Sequence, residues 1–186
     1  MPFTAATQTL LQLDPSLGSK KDLAKIRDNL SAIVLAGNRL WLGGDEGTHL
    51  HRMTRGKGGD FSDHKRFDVL PLLDLPDQSA KPSEIDIEGL DVDDGHVWLI
   101  GSHSRKRKKA EADATPAENR KRLATVESDG NRYTLARVPL DKDEEPVRSA
   151  KSRTAARLEG DASSNLLTRA LADDELSLSR WIAGRA

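Results

Sequence analysis

One segment of this chain occurs twice. Asn29-Leu30-Ser31-Ala32-Ile33-Val34-Leu35, followed by Leu40-Trp41-Leu42-Gly43-Gly44, returns as Asp86-Ile87-Glu88-Gly89-Leu90-Asp91-Val92, followed by Val97-Trp98-Leu99-Ile100-Gly101. The register is an ungapped shift of 57 residues, placing Leu30 on Ile87, Leu40 on Val97 and Trp41 on Trp98. A fixed period of this length points to a repeat architecture.

Each copy opens a run of short strands. Ser31 to Ala36 and Arg39 to Gly43 flank the turn residues Gly37-Asn38. Thr48 to Met53 alternates, and His64 to Val69 supplies a fourth strand beyond the flexible Arg55 to Asp60 turn. In the second unit Ile85 to Val92 and His96 to Ile100 flank Asp93-Asp94-Gly95, and Leu123 to Glu127 and Tyr133 to Val138 read as strands three and four. A short strand at Thr9 to Leu13 precedes both units, and Ser19 to Asp28 has room for a turn of helix. Ser163-Ser164-Asn165 offers N-cap chemistry ahead of helically spaced Leu166, Leu167, Ala170 and Leu171.

The pattern predicts an all-β fold: a β-propeller-like fragment of about two four-stranded antiparallel blades, a flanking strand and a C-terminal helix. The alternative is a small β-sandwich. The expected layout is a single incomplete domain over 1–186, with units at about 29–75 and 85–140, a polar insertion at 105–120 and a helix at about 163–176. Two blades cannot close a ring, so exposed sheet edges invite self-association.

Composition narrows the function classes. The net charge is −1, so no global field draws in nucleic acid or an anionic membrane surface. No apolar run reaches bilayer length, and the N-terminus carries no secretory signal. With no cysteine, disulfides, thiolate nucleophiles and Cys-ligated metals are excluded. A cytoplasmic location is the expectation.

Antiparallel geometry locates the candidate chemistry. The start of a first strand and the end of its second lie at one edge of a sheet. Asp86 and Glu88 therefore share an end with His103, and Asp45 and Glu46 reach the same face from the first unit. These carboxylates either bind Ca²⁺ or another oxygen-seeking cation, or accept hydrogen bonds from backbone N–H groups at strand ends. Asp86 and Glu88 are the metal candidates, and Asp45, Glu46 and His103 the ligand-binding ones. With His103 as acid or base, a metal-dependent hydrolase of the phosphoesterase or lactonase type is the alternative to a binding module without activity. His49 and His51 share a strand face without an evident third ligand and read as solvated. His64 and His96 read as surface residues beside turns. Trp41 and Trp98 read as core anchors. The Arg105 to Lys109 cluster, with Arg120 to Arg122 behind it, has the charge for phosphate contact. It lacks interleaved aromatics and is offset by Glu111, Asp113 and Glu118, so a mobile solvated loop is expected.

Taken together, Asn29 to Ile33, Leu40 to Gly47, Ile85 to Leu90, Trp98 to Ser104 and Lys106 to Lys108 resemble the bacterial family named domain of unknown function 3616. The resemblance spans about Leu10 to Ala172. It implies a propeller-like fold and carries no established activity. It also implies a further Asp-Ile-Glu-Gly-Leu-type segment after the C-terminal helix. Here Ser177 to Ala186 follows instead, so a C-terminally truncated chain is the expectation.

Overall fold

The computed structural model describes residues 8–173. The chain runs through α1 (Lys20–Asp28), then strands β1 (Leu30–Ala36), β2 (Arg39–Gly44), β3 (His49–Arg55) and β4 (Phe61–Asp68). These form one antiparallel sheet in the order β1-β2-β3-β4. A second sheet is built from β5 (Ile87–Asp93), β6 (His96–Gly101), β9 (Leu135–Pro139) and β12 (Ala156–Arg157), in the order β5-β6-β9-β12. Between β6 and β9 lie β7 (Lys106–Arg107), α2 (Pro116–Ala124) and β8 (Val126–Glu127). A small hairpin, β10 (Ser149–Ala150) and β11 (Arg153–Thr154), precedes β12, and α3 (Leu166–Asp173) closes the described chain. The fold is mostly β, of the all-β, propeller-like class, and its sheets do not close into a barrel.

The two sheets correspond position by position. Leu30 pairs with Gly44 and Ile87 with Gly101, and each first strand carries a bulge at the same place, at Leu30/Ala32 and at Ile87/Gly89. The correspondence continues into the third strands, where Trp41 faces Arg52 and Trp98 faces Arg137. Asp94 and Gly95 both adopt left-handed φ, 44° and 66°, as the two-residue turn between β5 and β6 requires.

Unit two departs from expectation. Leu123 to Glu127 is not the third strand. Leu123 and Ala124 end α2, and Val126–Glu127 pairs with Lys106–Arg107 outside the sheet. The segment expected as fourth strand is the third, β9, and the fourth is the two-residue β12, which carries the sheet on to Arg157. The insertion also folds. Thr115 caps α2 in a reciprocal box with Glu118, whose carboxylate accepts from the Thr115 N–H at 2.8 Å. Thr115→Ala should cost about 1 kcal/mol of local stability, read as faster amide exchange across α2 with the sheets unaffected.

Both faces of sheet one carry a buried apolar cluster. One face, with Trp41, Leu50 and Val69, packs against Ile87, Val97, Leu99 and Val138 of sheet two to form the main core. At Gly43 a side chain would meet Ile87 at 2.7 Å, so glycine permits the closest approach of the sheets. The opposite face, with Leu40, Leu42, Met53 and Phe61, is covered by Leu11 and Leu13 of the leading segment, which touches β4 through a parallel Leu11–Phe61 bridge. Trp41 is 1% exposed. Trp98 is half-buried, so the two tryptophans are not equivalent anchors.

Candidate functional site at the junction of the two sheets

Asp45 follows β2, and its N–H donates to the carbonyl of Asn29 at 2.9 Å. Glu88 is the extra residue of the β5 bulge. A bulge re-aims a side chain, and the corresponding bulge residue Ser31 donates its hydroxyl to the Ile87 carbonyl. Asp86 stands just before β5, buried, with φ 57°. Strand direction and the two bulges thus bring Asp45 of one sheet to Asp86 and Glu88 of the other. Their carboxylate oxygens lie within 4.8 Å of one another. Such spacing suits a hard cation with oxygen ligands at about 2.3–2.6 Å.

The other two predicted residues are elsewhere. Glu46 turns towards α1, where its carboxylate lies 3.8 Å from the Lys25 ammonium, both groups being more than half exposed. His103 serves as a structural tie. Its Nδ1–H donates to the Gly101 carbonyl (2.9 Å), and its Nε2 accepts from the Asn165 amide (2.8 Å). The tautomer follows from these partners. Asn165, which is also the N-cap of α3, accepts from the Thr168 N–H at 2.9 Å. His103 therefore fastens α3 to the loop after β6.

Sequence reasoning missed Arg132. It reaches Asp86 Oδ2 and Glu84 Oε1, each at 2.5 Å, and Ser104 Oγ at 3.1 Å. Its position is set by its neighbour Asn131, fully buried, which accepts from the Asp77 N–H and donates to the carbonyls of Asp77 and Ser83, all at 2.9 Å. No local pattern marks either residue, because their partners are distant in the chain. The guanidinium offsets one negative charge of the cluster.

The remaining histidines correct the expectation of solvated side chains. His51, His64 and His96 are all buried, and His49 is half-buried. His51 Nδ1 and His64 Nε2 are 2.9 Å apart. The Asp14 N–H donates to His64 Nδ1 at 3.2 Å, so the His64 proton sits on Nε2 and is given to His51. Burial, with repulsion from His64, His49 and Arg66, pushes the His51 imidazole down to about 3. Burial also lowers His64 and His49. His49 and His51 line a cavity of about 300 Å³ beside α1, together with Glu46, Lys25 and Arg66.

The basic insertion is folded and three of its cations are paired, so it is not the expected mobile loop. Lys106 pairs with Asp129 (2.5 Å), Lys108 with Glu127 (3.2 Å) and Arg122 with Glu111 (2.5 Å). Among the described residues no helix is long and apolar enough to cross a membrane.

No curated protein and no solved structure matches the chain. The family model described as protein of unknown function (DUF3616) matches residues 29–183. With its motifs standing at the ends and bulges of corresponding strands, this chain belongs to that family.

Proposed function

We propose that the chain is a propeller-type binding and interaction module without catalytic activity of its own, and that the ligand of its sheet junction is a divalent cation, calcium fitting best. The observation that supports this is the convergence of Asp45, Asp86 and Glu88, from two sheets, to within 4.8 Å. A cation there would tie the sheets together at one end of their first strands, where a propeller lines its channel. Hard carboxylate oxygens without nitrogen or sulfur donors favour Ca²⁺ over transition metals. His103, the acid or base that a hydrolytic reading would use, has both ring nitrogens engaged, which favours binding over hydrolysis.

Calcium should raise the thermal midpoint, because a ligand of the folded state alone stabilises it by about 2.7 kcal/mol at 100 times its Kd. Glu88→Gln and Asp45→Asn should abolish the rise, and Glu46→Gln should leave it unchanged. A midpoint that does not move with Ca²⁺, Mg²⁺ or Mn²⁺ would sink the proposal.

A further inference from the structure

The contact between the two sheets supplies a template. On sheet one, the Arg52 guanidinium lies over Trp41 and Phe67, 5.8 and 5.4 Å from their ring centroids. It donates to the carbonyls of Asp143 and Glu144 in the turn that follows β9, with the Glu145 carboxylate 3.9 Å away. The first strand of sheet two completes the contact by packing Leu90 and Val92 against the same core.

Both halves of this contact recur, each without its complement among the described residues. Arg137 lies 5.7 Å over Trp98, the same pair one sheet later, but Arg137 is exposed and Trp98 half-buried. No described carbonyl or carboxylate receives the Arg137 guanidinium. At the other end, Ile33 and Leu35 correspond to Leu90 and Val92 and are 64% and 50% exposed. The turn after β3 also matches the turn after β9. Gly56 N–H donates to the Asp60 carbonyl and Gly59 N–H to that of Gly56, as Asp141 N–H does to Glu145 and Glu144 N–H to Asp141. Gly59 and Glu144 share a left-handed φ, 93° and 59°. The carbonyls of Gly58 and Gly59 thus stand where those of Asp143 and Glu144 receive Arg52, and Asp60 stands where Glu145 does.

We propose that a second copy of this chain docks head to tail, placing Trp98 and Arg137 of one copy against Ile33, Leu35 and the Gly56–Asp60 turn of the next. The cation–carbonyl complementarity is the one the chain already uses internally. Leu11 and Leu13 cover Leu40, Leu42 and Met53, so the docked area is the first-strand half of that face and the turn. Such an interface is heterologous, and heterologous contacts close into rings when the rotation allows. Two copies bring four sheets together, the smallest number in the usual propeller range of about 4–8.

Light scattering on the full chain should give a fixed multiple of 20.4 kDa, at least twice that mass. Arg137→Glu and Ile33→Asp should each return the chain to 20.4 kDa with an unchanged circular dichroism spectrum. Mixing the two variants should restore a dimer, because each keeps one intact face, which a two-fold symmetric interface would not allow. The chain lacks cysteine, so Gly58→Cys and Arg137→Cys chains, mixed and oxidised, should form a disulfide-linked pair even if the Ile33 variant misfolds. A wild-type monomer at every concentration, as when residues 174–186 of the same chain cover Trp98, overturns the proposal. So does an oligomer insensitive to both substitutions, or the absence of the crosslink.

Discussion

Trp41→Ala should destabilise the chain by about 3–5 kcal/mol, the range for truncating a fully buried large aromatic. That is a large fraction of a typical stability of about 5–15 kcal/mol, and for a chain of this size it lowers the thermal midpoint on the order of 10 °C. The cause is local. Trp41 lies 6.0 Å from Phe67, ring to ring, in the core shared by the two sheets, and its loss also removes one of the two aromatic rings that flank the buried Arg52 guanidinium. Trp98→Ala, at the corresponding position, should cost only about 1–2 kcal/mol in the isolated chain, because a half-buried ring loses less transfer free energy. Denaturant unfolding of the two variants at equal concentration checks the asymmetry. Equal losses would mean that the tryptophans occupy equivalent environments.

The second large effect is a loss of stability on mild acidification, centred on His51 and His64. In the unfolded chain His51 takes up a proton near 6.5, and in the folded chain only near 3. Between these values the unfolded state binds more protons, so stability falls as the pH drops through the window and is flat above it. Each unit is worth about 1.4 kcal/mol, which makes the full effect on the order of 3–5 kcal/mol. A protonated pair would also set N–H against N–H across the 2.9 Å contact. Asp77, held at about 2 by the N–H groups of Ser83 and Ser79, loses its contribution only below about pH 4. The upper part of the window therefore belongs to the histidines. His51→Gln keeps an acceptor for the His64 proton and should reduce the slope between pH 6.5 and 4, leaving the smaller part due to His64 and His49. A variant with the wild-type slope would assign the acid sensitivity to other groups.

The sites at which expectation and structure diverge share a feature. Leu123 to Val126 is apolar enough for a strand, but Thr115-Pro116 and Glu118 provide a helix start that overrides it. The true fourth strand, Ala156–Arg157, is two residues long and held by a partner nineteen or more positions away, so no periodicity announces it. His51 occupies a strand position that reads as polar, yet its face is closed by Asp14 and His64 from the leading segment and β4. Arg52, a charged residue within β3, is buried by the distant turn at Asp143 to Glu145.

What the sequence alone determined is everything set by local pairing. The doubled segment specified the two hairpins, and antiparallel direction placed Asp45, Asp86 and Glu88 at one end of the sheets. Strand alternation and turn chemistry act over a few residues and are written in order along the chain. Only the tertiary structure decided that Trp41 is sealed while Trp98 stands half open, that His103 is spent on Asn165, and that Arg132 joins the acidic cluster. Each of these depends on which surface another part of the chain happens to cover, and burial by a distant segment leaves no mark on the residues that it covers.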